Sequence, residues 1–242
     1  MHVKLIAALA LVAVAPITRS QTPREVALAV LERASRPFAA YCIRTGNDLT
    51  VVVELSSASI QAGRWKDGAD VEVAASAADG SQVARAPGRI DAGASATTIR
   101  LPLEGGQWPA HVSVSVRGSG EKPAEDWVKL YPPSGTLVGD PLAYRSAART
   151  AMRPVAAFEF ARNERVRIEW PELAPLDRRE ARLLDRGGRV LSASLPVTAE
   201  NARSMAVVEI GLSNLPHGDY LFELIAGAGS VTESHLLAIR VR

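Results

Sequence analysis

The chain has 242 residues, enough for two domains of about 100 residues each that are stable without disulfides. Hydrophobic residues make up 47% and charged residues 22% of the sequence, an ordinary globular composition that excludes a disordered or fibrous protein. With 28 basic and 26 acidic residues the formal net charge is only +2, so a nucleic-acid partner is not expected.

Residues 1–20 have the layout of a secretory signal peptide. Lys4 supplies a short basic region, an apolar run follows from Leu5 to Val14, and small or polar residues precede Gln21. The run is short for a membrane span, which needs about 20 residues. We therefore expect cleavage near Ser20 and a secreted or periplasmic protein with no stable membrane span. An uncleaved anchor is the alternative.

The helix start in "TPREVALAVLERAS" is unusually complete. Thr22 suits the N-cap, Pro23 the first helical position, and Glu25 lies three residues after the cap. Val26 and Val30 fall on one stripe of the helix, which gives it a face to bury. The segment predicts a short N-terminal helix that packs on the first of two domains.

A single cysteine, Cys42, cannot form an internal disulfide, so an exported chain of this kind depends on its cores alone. It lies in the strand-like stretch "FAAYCIRTG", where a free thiol usually acts as a small buried hydrophobe. A catalytic thiol is the alternative interpretation, and it would need an activating histidine nearby.

After the helix the apolar periodicity changes to 2, which is typical of half-buried strands. "HVSVSVRG" places Val112, Val114 and Val116 on one face, and segments such as "KDGAD" and "RGSGEKP" supply turns. We therefore predict that residues 21–131 form the helix and a first β-sandwich.

A segment rich in proline and glycine, residues 132–155, predicts a linker between the domains. Beyond it, "RVRIEWPEL" places Val166, Ile168 and Trp170 inward, so residues 156–242 predict a second sandwich. The expected fold is all-β, with two immunoglobulin-like or fibronectin-like β-sandwich domains after a signal peptide and a short helix.

The segment "NLPHGDY" predicts a turn in which Pro216 and Gly218 bend the chain into a strand. Immunoglobulin-like sandwiches often tie down this corner with a tyrosine, so a structural role is predicted for Tyr220. His217 is expected in the exposed turn and His235 in a strand. The histidines are too scattered in sequence to predict a zinc site.

No nucleophile elbow, phosphate loop or metal-ligand motif occurs in the sequence, so we assign no catalytic, cofactor or metal residue and predict that the protein is not an enzyme. Candidate binding residues remain. Trp65 and Trp108 stand next to turn residues and are the best candidates for exposed aromatic platforms, although a small-core role is the more common one. Arg178, Arg179 and Arg182 belong to the densest basic patch, whose interleaved acids favour a solvated, self-paired face.

The segments "LYPPSGTLVGDPLAYR", "RPVAAFEFARNERVRIEWPEL" and "LPHGDYLFELIAGAGSVTESHLLAIRV" resemble the C-terminal β-rich region of exported bacterial proteins of the acidobacterial VWFA-related type. In that family a von Willebrand factor A domain precedes β-rich modules. The resemblance covers most of residues 22–242 and implies an exported β-rich module. The A domain and its DxSxS motif are missing here, so no metal ligand is carried over.

These patterns predict a non-catalytic exported module that binds a protein partner of the cell envelope or acts as a spacer. Two alternatives stay open. One is an exported hydrolase or carbohydrate-active protein without a recognisable motif. The other is that the chain is a piece of a longer A-domain protein.

Overall fold

The computed structural model describes residues 22–33, 36–45, 48–103, 108–131, 135–147 and 151–242. The predicted signal peptide, residues 1–20, lies outside the described residues. No helix within the described ranges is long and apolar enough to cross a membrane.

The N-terminal helix α1 (Pro23–Ala29) begins at the predicted capping box and continues into a 3₁₀ turn at Val30–Arg33. The Thr22 hydroxyl accepts a hydrogen bond from the backbone amide of Glu25 at 3.3 Å, and the Glu25 carboxylate accepts one from the Thr22 amide at 2.8 Å. These two bonds satisfy amide donors that the first turn of a helix would otherwise leave unpaired.

Within the described ranges the first sandwich contains seven strands and one short helix, and all its paired strands are antiparallel. The elements are β1 (Phe38–Thr45), β2 (Asp48–Leu55), α2 (Ser57–Gln61), β3 (Ala69–Ser76), β4 (Gln82–Ile90), β5 (Ala96–Pro102), β6 (His111–Arg117) and β7 (Ala124–Lys129). One sheet has the order β1-β2-β5 and the other β4-β3-β6-β7. Alternate valines such as Val73 and Val114 point between the sheets and are fully buried, as a strand period of 2 requires.

The second sandwich is built from ten strands. They are β8 (Leu142–Ser146), β9 (Arg153–Pro154), β10 (Glu159–Phe160), β11 (Arg165–Pro171), β12 (Arg178–Asp185), β13 (Val190–Leu195), β14 (Thr198–Glu200), β15 (Met205–Gly211), β16 (Gly218–Ala228) and β17 (Val231–Val241). The sheets have the orders β10-β17-β16-β12-β13 and β14-β15-β11-β8-β9. Only the β10–β17 pair among them is parallel.

The predicted corner is present in the second sandwich. The Tyr220 hydroxyl, near the start of β16, donates a hydrogen bond of 2.8 Å to the carbonyl oxygen of Pro216. Val166, Ile168 and Trp170 in β11 are buried as predicted, and His217 lies exposed in the turn while His235 lies in β17. The expected fold class, all-β with two immunoglobulin-like sandwiches and a short N-terminal helix, is confirmed.

The predicted linker 132–155 is wrong in its second half. Residues Leu142–Ser146 form β8, which pairs with β11, and Arg153–Pro154 pair with β8 as β9. The prolines that suggested a linker do not interrupt these strands. Pro141 precedes β8, and Pro154 lies in the edge strand β9, where the missing backbone amide removes no hydrogen bond between strands.

The helix α1 packs on the second sandwich, not on the first as predicted. Its residues Ala27 and Leu28 contact the core of the second sandwich, and Arg24 donates a hydrogen bond of 2.6 Å to the carbonyl oxygen of Gly187. The apolar stripe of a helix predicts which side of the helix is buried, but it does not predict which domain the helix packs against.

The two sandwiches contact each other directly through a joint formed by β1 and β2 on one side and residues 156–158 on the other. Ala39 and Val52 pack against Ala156, and the Tyr41 ring meets the edge of the Phe158 ring at a centroid distance of 4.8 Å. This buried contact holds the two domains in a defined orientation.

Candidate functional site

The outer surface of the sheet β4-β3-β6-β7 is the best candidate for a binding site. Antiparallel pairing places Glu72 of β3 between Pro87 of β4 and Ser115 of β6, and Ser115 lies opposite Glu125 of β7. The next row has Ala74, Ser113 and Trp127 side by side. The alternate side chains of these strands, such as Val73, Val114 and Val128, face the core, so the remaining ones form one continuous solvent-facing surface, here called the serine face.

A shallow depression of about 500 Å³ lies on the serine face. Its lining includes Ser113 and Ser115 on β6, with Pro87 on one outer strand and Trp127 on the other. The small serine side chains leave space between the bulkier residues of the flanking strands. A partner can therefore approach the backbone of the sheet closely at this point.

Trp127 is the most prominent side chain of this surface. Its side chain is 58% exposed, and its ring lies 5.4 Å from the ring of His111. It points outward because its neighbours point inward: Val128 is buried in the core, and Asp126 is 3% exposed and forms an ion pair with Arg36. The exposed indole is thus fixed by the strand and is not a mobile loop residue.

The charges of the serine face are only partly paired. Arg89 contacts Asp70 at 2.7 Å and Arg85 contacts Glu72 at 2.5 Å. In contrast, the exposed side chains of Arg117 and Glu125 have no ion pair or hydrogen bond among the described residues. Arg117 lies two residues beyond Ser115 on β6, and Glu125 lies opposite Ser115 on β7. One free cation and one free anion therefore flank the depression.

Trp65 was one of two candidates for an exposed aromatic platform, but it has the small-core role that we considered the more common one. Its side chain is only 3% exposed and belongs to the core of the first sandwich. Gly118 permits this position, since a Cβ atom there would lie 3.2 Å from the indole carbon Cε3 of Trp65. The guanidinium of Arg64 covers the ring at 4.6 Å from its centroid.

Trp108, the other predicted platform, is 43% exposed. The guanidinium carbon of Arg44 lies 5.7 Å from its ring centroid. Trp108 does not line the depression on the serine face.

The three candidate arginines lie on β12 of the second sandwich and are engaged with their own surroundings. Arg179 donates two hydrogen bonds of 2.7 Å to the Glu172 carboxylate, which raises the pKa of this guanidinium, and a third to the Leu176 carbonyl oxygen. Arg178 donates to the Thr232 hydroxyl at 3.0 Å and lies 3.9 Å from Glu180. Arg182 lies 3.6 Å from the same carboxylate. The structure does not bring these arginines together with either predicted tryptophan.

Within the ranges that the structure describes, no three histidine, cysteine, aspartate or glutamate side chains are close enough to hold a metal ion. Cys42 is buried at 8% exposure, as predicted for a small core residue.

Trp127 was the functional candidate that sequence reasoning missed. The stretch "DWVKL" contains the information, because Val128 and Leu130 alternate with Trp127 and Lys129, so a strand that buries the former must expose the latter. Because tryptophan is usually buried, the alternation was not interpreted as placing Trp127 on the exposed face.

No family model and no curated protein sequence matches the chain. Structural comparison finds likenesses to murine CEACAM1b (8% identity, covering 85% of this chain and 100% of that one, TM-score 0.24) and to the titin tandem immunoglobulin domains (10% identity, 86% and 99%, TM-score 0.22). A third is to α-2-macroglobulin of Salmonella, with 13% identity, coverage of 85% of this chain but only 12% of that one, and a TM-score of 0.26. The two sandwiches are defined by their own strand order and by the Tyr220 corner, not by these likenesses.

Proposed function

We propose that the protein is a non-catalytic, exported interaction module that binds a protein partner of the cell envelope through the serine face. The observation that carries this proposal is the exposed Trp127 beside a depression flanked by the unpaired charges of Arg117 and Glu125. Tryptophan and arginine are the side chains most often found at the energetic centres of protein interfaces.

The unpaired charges favour a protein partner over a glycan. Covering Arg117 and Glu125 with an uncharged sugar would remove both from water without giving either an opposite charge. A protein can supply a carboxylate for Arg117 and a cation for Glu125, which fixes the orientation of the complex. The exposed aromatic ring alone would suit either a glycan or a protein, so the preference for a protein rests on the two charges.

The joint between the sandwiches supports a spacer role for the second domain. Because buried contacts tie the sandwiches together, the serine face is held at a fixed angle to the rest of the chain. The same proposal includes export and a relationship to the C-terminal β-rich region of VWFA-related proteins. They rest on the N-terminal apolar run and on the sequence resemblance.

The test begins with affinity capture from cell-envelope extract on the immobilised chain without residues 1–20, followed by identification and purification of the enriched protein. Its dissociation constant is then measured with the wild type and with two variants. Trp127→Ala should weaken binding by about tenfold or more, whereas Trp108→Ala, which removes an exposed indole outside the serine face, should not.

A charge reversal provides the second criterion. Arg117→Glu should weaken binding and reduce its dependence on salt, because the ion pair with the partner is lost. Equal affinities for the wild type, Trp127→Ala and Arg117→Glu would overturn the proposed site. Binding of purified glycans with loss in Trp127→Ala alone would overturn the assignment of a protein partner.

A further inference from the structure

A cavity of about 460 Å³ lies where α1, the first sandwich and the second sandwich meet. Val26 of α1 and Val30 of the following 3₁₀ turn line it together with Leu130, which follows β7, and Leu237 of β17. Small-molecule sites in proteins commonly lie between domains, have volumes of 300–1,000 Å³ and combine apolar walls with few polar groups. The cavity meets the conditions of position and volume, and apolar residues form the larger part of its wall.

One cation that lines this cavity is only weakly paired. Arg44, at the end of β1, lines the cavity, and its side chain is 14% exposed. Its Nη1 atom is buried and has no hydrogen-bond partner among the described residues, and its Nε atom lies 4.0 Å from the nearest carboxylate oxygen of Asp140. Among the described residues the guanidinium therefore has only one long ion pair, so a carboxylate bound in the cavity would find a weakly paired cation there.

The charged side chains that line the cavity favour an anion. They are Arg44, Lys129 and Asp140, which leaves an excess of one positive charge. His235 also lines the cavity, and its Nε2 atom is 3.3 Å from the Glu233 carboxylate. Tyr41 supplies a hydroxyl group, and its burial, followed by the nearby Asp140 carboxylate, raises the pKa of this phenol so that it remains protonated.

We propose that this cavity binds a small amphipathic carboxylic acid, with the carboxylate at Arg44 and the apolar body between α1 and β17. The carboxylate would form an ion pair with the Arg44 guanidinium, whose planar set of donors makes arginine a preferred partner of carboxylates. The aliphatic side chains of Val26, Val30 and Leu237 would cover the apolar body. This site is separate from the serine face and does not depend on the function proposed for it.

The inference is tested by titrating the chain without residues 1–20 with hexanoate, octanoate and decanoate, each below its micelle concentration, in a calorimeter. We expect saturable binding at one site, with affinity rising by up to about fourfold for each added methylene group. Decanol, which has the same body without the charge, should bind about tenfold or more weakly than decanoate. Trp108 provides an independent readout, since its ring lies 5.7 Å from the Arg44 guanidinium and its fluorescence should change on binding.

Two variants and a control locate the site. Arg44→Gln should weaken decanoate about tenfold or more and abolish the difference from decanol, whereas Arg100→Gln, which removes an exposed cation on β5, should not. Ala29→Trp introduces a bulky side chain at an exposed position that lines the cavity, so it should block decanoate with little effect on the melting temperature. No saturable binding, equal binding of decanol and decanoate, or equal binding by the wild type and Ala29→Trp would overturn the inference.

Discussion

The carboxylate of Glu54, on β2 of the first sandwich, accepts a hydrogen bond of 2.9 Å from the backbone amide of Ala156, on the second. The same oxygen accepts a second bond of 2.9 Å from the amide of Ala157, and the other carboxylate oxygen lies 3.1 Å from Arg145. Glu54 is only 8% exposed. One buried side chain of the first domain therefore satisfies two main-chain donors and one cation of the second.

Replacing this carboxylate should weaken the whole molecule. Glu54→Ala leaves two amides without their acceptor in a buried joint and removes one ion pair of Arg145, so we expect a loss of about 2–4 kcal/mol in the free energy of unfolding. Urea denaturation measures this change. X-ray scattering should show a larger radius of gyration as the domains separate.

The matched control is Glu72→Ala, because Glu72 is an exposed carboxylate of the same sandwich that pairs with Arg85. Surface pairs contribute about 0–1 kcal/mol, so this variant should remain near the wild type. Similar stabilities and scattering profiles for both variants would show that the Glu54 contacts do not hold the joint.

A comparison of two glycines tests the turn that leads into β3. Gly63 and Gly68 have nearly the same positive φ, +78° and +81°, but only Gly68 is crowded. A Cβ atom at Gly68 would collide with the carbonyl oxygen of Ile90 and lie 3.0 Å from the amide of Ala92, while Gly63 has open space.

We expect Gly63→Ala to cost about 1 kcal/mol, from the strained φ alone. Gly68→Ala should cost about 1–3 kcal/mol more, because the backbone of the β4–β5 turn must also move. Thermal unfolding followed by circular dichroism measures both. Equal costs would mean that the turn accommodates the methyl group without strain.

Local sequence patterns predicted the sheets well because the side-chain period of a strand is a local property. The alternation around Val114 and Val166 predicted which side chains enter the cores, and "LPHGDY" predicted the Tyr220 corner. The joint was not predictable in this way. Nothing near Glu54 in "LTVVVEL" distinguishes it from a surface carboxylate, since its partners lie about a hundred residues further along the chain.

The same limit applies to the candidate sites. Trp65 stands among turn residues but is buried, because Gly118, in the turn after β6, leaves room for its ring. The cavity at Arg44 is formed by three elements from different parts of the chain. One of them, α1, was predicted to pack on the first sandwich but packs on the second. The burial of Trp65 and the shape of the cavity depend on packing between segments that are distant in sequence. A local pattern in one sequence does not predict such packing.

Glu233 should make stability depend on acid pH. Although burial raises the pKa of this carboxyl group, the hydrogen bonds donated by the backbone amides of Thr136 and Leu137 outweigh it and lower the pKa from 4.5 to about 2. Since the folded state has the lower pKa, the stabilisation is fully present above pH 4.5 and is lost as the pH falls toward 2.

Glu233→Gln should therefore lower stability by about 1–3 kcal/mol at pH 7 and flatten the dependence between pH 4.5 and pH 2. Urea midpoints measured across this range test the expectation. Glu223→Gln, on the neighbouring strand β16, serves as the control, because among the described residues this carboxylate accepts only a hydroxyl bond from Ser234. The prediction fails if the two variants have the same acid slope.

Tyr220 tests whether the corner stabilises the second sandwich through its hydrogen bond or through its ring. The ring is 7% exposed, and the hydroxyl donates to the Pro216 carbonyl oxygen at 2.8 Å. Tyr220→Phe keeps the ring and should cost about 0.5–1.5 kcal/mol, the usual net value of one hydrogen bond. Tyr220→Leu also removes aromatic packing and should cost about 2–4 kcal/mol by urea denaturation. If Tyr220→Phe is neutral, the hydrogen bond does not stabilise the turn, and the ring alone holds β16 against the core.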